Sequence, residues 1–287
     1  MSGGVRGGML FVDGIAFWAP TLPGWQAARA AFRGETAPLA TPLKRPAPDI
    51  LAPAERRRAP DTVALALEVA ATAVRDSGLD AATLPSVFTS AHGDLAVNDY
   101  MCSTLANEPT SISPTKFHNS VHNAAAGYWT MATGCHEAST ALSAFDASFG
   151  AGLLEAATQC QADARAVLLV GVDVEAAGAL ASVTASTGLL ACALVLSPRA
   201  SERTVATFHW SLVGGKSGPT PIRSAAARSL AGNAMAGALP LFEAIALAEP
   251  GQEAGAVALA LAPSLSLVLV AKASAPVAST TAPALAS

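Results

Sequence analysis

The chain reads as an α/β protein on a mainly parallel central sheet, and three observations point there. Apolar runs of strand length alternate with helical patterns through most of the sequence. Two of those runs, AVLLVGV at 166–172 and LLACALVL at 189–196, are apolar without a break, as strands covered on both faces are. Hydrophobic residues make up 52% of the 287 and charged residues 13%, with a mean hydropathy of +0.41. That supplies a core and excludes a disordered chain, which needs the opposite balance.

The elements follow in order. Met9 to Phe17 (MLFVDGIAF) is a strand whose Asp-Gly suits a turn or bulge. Gly24 to Arg33 is a short helix. Prolines at 38, 42, 46, 48, 53 and 60 then exclude a regular element between them, and Arg56-Arg57-Arg58 belongs to this solvated connection. Asp61 caps the clearest helix of the chain, with Val63, Leu67, Ala70 and Val74 as its apolar stripe and Gly78 as its stop. Pro85 to Ser90 is a strand and 93–109 is mixed. Asn119 to Thr133 is a helix rich in small residues, Thr140 to Phe145 a strand and Ala147 to Gln161 a helix. After the two continuous apolar strands come a strand at Thr204 to Val213, an irregular loop at Ser217 to Arg228 and a helix at Ala238 to Ala248. Strands at Ala256 to Leu261 and Leu265 to Ala271 close the order. Residues 273–287 are an Ala/Ser/Thr/Pro tail, expected to be disordered.

Charge and composition exclude several function classes. Seventeen basic and twenty-one acidic residues give a net charge of −4, so there is no electrostatic footprint for nucleic acid. Residues 176–198 and 255–271 are apolar enough to raise a membrane span. Ser, Thr and Gly in the first and Pro263-Ser264 in the second make buried strands the better reading. The opening MSGGVRGGML carries no apolar signal core, and a cytoplasmic protein is expected. The apolar composition predicts a permanent partner.

Few residues offer chemistry. Cys102, Cys135, Cys160 and Cys192 are scattered, without the paired spacing of a zinc ribbon or disulfide framework. His118 and His122 stand four apart without further ligands, so no metal is expected; no cofactor is expected either. Cys135-His136-Glu137 reads as an inert loop, His209 as a structural strand residue, and GGKS at 214–217 lacks the first glycine of a phosphate loop. The sharpest feature is STALSAFDASFGAGLL at 139–154, a strand running through a turn into a helix of small residues. It sets Asp146 near a helix N-terminus, where Asp serves either as a simple cap or as the residue at a nucleophile elbow.

This segment, with AVLLVGVD at 166–173 after it and FHNSVHNAAAGYW at 117–129 before it, resembles the β-ketoacyl synthases of the thiolase-like fold. It is especially similar to the short ketoacyl-synthase N-terminal-like proteins of aryl-polyene and xanthomonadin-type clusters. VDGI at 12–15 and GLLACALVL at 188–196 fit as well. The resemblance implies a layered α-β-α-β-α fold, with residues 9–197 as the ketosynthase-like half and 204–272 as a shortened C-terminal half. It puts Asp146 where the family holds its acyl-accepting cysteine, and a carboxylate cannot carry the chain as a thioester. The two histidine motifs of the family's second half are missing.

What the resemblance implies is a non-catalytic, chain-length-factor-type subunit. It would pair as a heterodimer with a full-length β-ketoacyl synthase, meet acyl carrier protein through that complex, and bound the partner's acyl tunnel in aryl-polyene, polyketide or fatty-acid-like synthesis. Phe117, His122, Tyr128, Trp129 and Met131 are then candidates for interface and tunnel floor, with Tyr128 and Trp129 equally readable as core aromatics. The alternative is an active truncated condensing enzyme or acyltransferase using Cys135 or another nucleophile.

Overall fold

The computed structural model describes residues 5–215, 218–249 and 253–273. The strands are β1 (Val5–Ala19), β2 (Leu22–Pro23), β3 (Ser86–Thr89), β4 (Ser139–Leu142), β5 (Val167–Asp173), β6 (Leu190–Ser197), β7 (Ala206–Gly214), β8 (Glu253–Ala262) and β9 (Leu265–Ala273). The helices are α1 (Trp25–Phe32), α2 (Pro53–Arg58), α3 (Asp61–Ser77), α4 (Leu95–Asn107), α5 (Pro114–His118), α6 (Ala124–Thr133), α7 (Ser148–Ala162), α8 (Ala225–Arg228) and α9 (Leu239–Leu247). One sheet holds the strands in the order β4-β3-β5-β6-β1-β7-β9-β8, with β2 paired to β1.

The sheet is mixed rather than mainly parallel. β3 runs parallel to β4 and β5, and every other pairing is antiparallel. Apolar runs such as 166–172 report cover on both faces, and that cover exists here without a helical crossover between β5 and β6. The Asp13-Gly14 step of β1 is the expected bulge, with the register against β6 shifting between Val12 and Gly14.

Layers follow from burial. α3 presents Val63, Leu67, Ala70 and Val74 to one face of β5, β6 and β1, where Ala125, Tyr128 and Trp129 of α6 join them. Gly78, at φ 71°, ends α3 as expected. The opposite face receives α7, α9 and α1. β8 stands five strands from β5, about 24 Å away in a flat sheet. Yet α7 touches both. A Cβ at Gly150 would lie 2.8 Å from the Ala260 carbonyl on β8, and one at Gly152 would lie 2.9 Å from Thr89 on β3. The sheet therefore curls around the α7–α9 layer, which explains why small residues line that helix. The outer face of β7-β9-β8, with exposed His209 and half-buried Val268 and Val270, has no helix over it among the described residues.

Local departures have local causes. The proline-rich connection does contain a helix, α2, because Pro53 sits in its first turn, where a missing N–H costs nothing. Asp61 is the first helical residue rather than the cap, and its carboxylate pairs with Arg45 at 3.1 Å. The helix expected over 119–133 starts only at Ala124 as α6, and a separate short helix, α5, ends just before it at His118. The buried Asn119 amide donates to the Thr115 carbonyl at 3.0 Å, a side-chain bond that competes with helix continuation. The mixed segment contains α4, capped by Asp94, whose carboxylate accepts from the Val97 N–H. Of the loop expected at 217–228, Ser217 lies outside the described residues and Ala225–Arg228 is helical. The tail beyond Ala273 also lies outside them. No helix among the described residues is long and apolar enough to cross a membrane.

Candidate functional site

The three parallel strands end together, and their C-terminal ends carry the polar groups. Ser90-Ala91-His92-Gly93 follows β3, Ser143 to Ser148 follows β4, and Asp173 closes β5. In open α/β sheets this edge is where sites form.

The β4–α7 turn is a sharp elbow. Phe145 stands at φ 48°, one of two non-glycine residues with positive φ among those described. For a bulky side chain that backbone is strained and must be held. Ser148 holds it: its hydroxyl donates to the Phe145 carbonyl at 2.6 Å and accepts from the Ala144 N–H at 2.9 Å. Phe145 is 70% exposed, meeting the His92 ring edge-on at 6.2 Å. Asp146 follows in the single 3-10 turn Phe145–Ala147, exposed and with no capping hydrogen bond. The strained apex that presents its side chain in an elbow is therefore Phe145, one residue before the expected position. Asp146 is not the cap of α7 either, since Ala147 occupies that place.

Beside the elbow lies a buried carboxyl that the sequence reading passed over. Asp173 accepts from the Ser90 hydroxyl at 2.6 Å, the Ala91 N–H at 2.9 Å and the His92 N–H at 3.4 Å. Burial pushes its pKa above the ordinary carboxylate range, against the opposing pull of the Ala91 N–H and Ser90 hydroxyl. Asn233 binds the Asp173 carbonyl at 3.3 Å and the Thr187 carbonyl at 3.1 Å, fastening the loop after β5. The only sequence signal for Asp173 was an acidic residue closing a fully apolar strand.

The remaining predicted residues separate into two groups. Phe117 and Met131 are each 63% exposed, and Val121 is 54% exposed. His122 is exposed, with Nε2 3.1 Å from the Ser90 carbonyl. Tyr128 and Trp129 are buried against α3, so the structure makes them core residues rather than interface or tunnel floor. The reason is the late start of α6: its inner face is Ala125, Ala126, Tyr128 and Trp129, and its outer face is Gly127, Thr130 and Met131. That outer face and the edge of β4, unpaired among the described residues, border a groove of about 460 Å³ lined by His122, Asn123, Ala126, Gly127, Thr130, Ser139 and Ala141. His118 stacks edge-on against Tyr128 at 5.8 Å, so the two histidines serve different neighbours.

Nucleophiles are scarce at the elbow. A cavity of about 780 Å³ opens there between His92, Phe145, Asp146 and the apolar residues Val183, Ile222 and Leu259. No cysteine lines it. Cys135 is buried and its thiol donates to the Leu84 carbonyl at 3.4 Å. Burial pushes the Cys160 thiol up to about 12 and raises that of Cys192 as well, which keeps both as unreactive thiols. Cys102, on α4, is the exposed one.

Layers curled around a central helix, with a strained elbow over the ends of parallel strands, define a thiolase-like protein. The family model for the β-ketoacyl synthase N-terminal domain matches residues 25–214, and the chain belongs to that family. A search of curated proteins finds no match. Among solved structures, the chain is similar to one of the ketosynthase (ApeO) in complex with its chain length factor (ApeC) from Xenorhabdus doucetiae. The TM-score is 0.69 at 22% identity, over 91% of this chain and 99% of that one. The ishigamide ketosynthase/chain length factor gives 0.70 at 17% identity, over 93% and 100%. A complex of the acyl-carrier protein AntF with the ketosynthase AntDE gives 0.70 at 11% identity, over 94% and 100%. At these identities the likeness establishes the fold.

Proposed function

We propose that this chain is a chain-length-factor-type subunit, which pairs with a full-length β-ketoacyl synthase and bounds its acyl tunnel during polyketide-type or aryl-polyene chain assembly on acyl carrier protein. The observation that carries this is the elbow. Its backbone and its Ser148 clamp are in place, but the apex side chain is Phe145 and the next is Asp146. Neither an aromatic ring nor a carboxylate accepts an acyl group as a thioester.

The apolar face supports the pairing. Phe117, Val121, Met131 and Phe145 are all more than half exposed, and edge strand β4 has one side unpaired among the described residues. Large apolar groups beside an open sheet edge are a liability unless a partner covers them. Phe117, His122 and Met131 are the residues we assign to that interface. Residues 9–197 act as the ketosynthase-like half, with 204–272 completing the layer around α7, and the complex works in the cytoplasm. Structures of ketosynthases with their chain length factors share this fold, which fits the reading.

Co-expression with each full-length ketosynthase of the same genome tests it. A stable one-to-one complex, with product length altered by substitutions at the shared face, is expected. A monomer that ignores every such ketosynthase contradicts the proposal.

A further inference from the structure

We infer that Asp173 is the positioning residue of the partner face: through the loop 90–93 it holds the two apolar parts of that face in one fixed relation. The inference rests on the proposed pairing with a ketosynthase, and its physical basis is the hydrogen-bond pattern of four loop residues.

The polar groups of the loop reach three elements, with three of them meeting on Asp173. The Ala91 N–H goes to Asp173, at the end of β5. The Ala91 carbonyl accepts from the Ser143 hydroxyl at 2.8 Å, at the end of β4 just before the elbow. The Ser90 carbonyl meets His122 Nε2 at 3.1 Å, in the turn between α5 and α6. The Ser90 hydroxyl donates to Asp173 and accepts from the Gly93 N–H at 2.8 Å, closing the loop on itself. The exposed Phe117 and Val121 therefore hang on one side of the loop through His122. Phe145 hangs on the other through Ser143 and its contact with the His92 ring. Asp173 ties this junction to β5 by three donors on a side chain that is 1% exposed, and the Ser90 N–H adds a longer bond to the Leu142 carbonyl of β4 at 3.4 Å. Three loop donors meeting one buried carboxyl fix the loop far more tightly than exposed bonds do. A pre-set face loses less entropy on association than one that must be ordered.

Asp173→Asn keeps the shape but turns one acceptor into a donor facing the Ala91 N–H. The control is Asp13→Asn, a second buried aspartate at the β1 bulge, held by Ser197 at 2.6 Å and Thr204 at 2.7 Å, away from the face. Amide hydrogen exchange on the isolated full chain is the first measurement. The inference expects Asp173→Asn to speed exchange by about tenfold in 117–124 and 143–147 together, and Asp13→Asn to leave both segments unchanged. Loosening confined to 90–93 overturns it. If Asp173→Asn does not fold, Ser143→Ala, which removes one hydroxyl from an exposed residue, must loosen the elbow side; unchanged exchange there overturns the inference as well. Binding to the co-expressed ketosynthase is the second measurement. Asp173→Asn is expected to weaken it about tenfold by that loss of pre-ordering, at a temperature where both variants are folded, with Asp13→Asn equal to wild type. Equal weakening by the two overturns the positioning role. Failure of the wild-type chain to bind any ketosynthase counts against the pairing itself, leaving the exchange result to judge Asp173.

Discussion

The two ends of the sheet are built on different terms. At the parallel end, β4-β3-β5, the strands are short and their C-terminal ends carry Ser90, His92, Ser143, Phe145 and Asp173, with large apolar side chains left in solvent around them. At the antiparallel end, β7-β9-β8, the strands are long and Phe208, Leu267 and Leu269 are buried. The exposed His209 is the one histidine on those strands. The contrast teaches that the parallel end keeps a strained elbow with Phe145 at its apex, while the other end serves to enclose the middle helices. In the proposed pairing, what the parallel end offers a partner is a surface.

The strongest way to separate the two ends is to damage each one. Phe208→Ala at the antiparallel end should cost about 3–5 kcal/mol in urea unfolding, while partner affinity measured on the folded fraction stays at the wild-type value. Paired replacement of Phe117 and Met131 by Glu should do the reverse. Binding should weaken about 100-fold, and the urea midpoint should move by no more than about 0.5 kcal/mol equivalent, as for exposed sites generally. A large stability loss in the double variant would place those side chains in the core and break the contrast.

The elbow offers a finer test, because strain and docking predict opposite signs there. Phe145→Gly relieves the positive φ and should stabilise the isolated chain by up to about 1 kcal/mol, yet lower partner affinity. Loss of stability would show that the ring is packed in the free chain.

Much of this was legible beforehand. The α3 stripe from Val63 to Val74, its Gly78 stop, the bulge at Asp13-Gly14 and the β8–β9 hairpin at Pro263-Ser264 follow from local chemistry that tertiary structure did not override. The parallel or antiparallel sense of β6 was not legible, since an apolar run fixes burial and not direction. The break at Asn119 depends on a side chain that bonds back to Thr115 and to the Arg58 carbonyl from another segment. Phe145 at the apex depends on a backbone angle that leaves no mark in a string of letters. Asp173 looked like the end of a strand, and only the arrival of the Ser90–His92 loop makes it the centre of a junction.

The smallest expected effect is on pH. Burial raises the folded-state pKa of Asp173, so its contribution to stability is fully present below the ordinary carboxylate range and is lost as pH rises through the raised value. The stability advantage of wild type over Asp173→Asn should therefore be widest near pH 4 and narrow toward neutrality, by urea unfolding across that range. A gap that widens with rising pH would mean that the donors around the carboxyl outweigh its burial.

If the proposed pairing holds, this subunit shapes a condensation whose covalent step occurs on its partner. Intact-mass measurement of the co-purified pair, after incubation with an acyl thioester of acyl carrier protein, tests it most directly. An acyl adduct is expected on the ketosynthase and none on this chain. An adduct on this chain, retained when Cys102 is replaced, would contradict it.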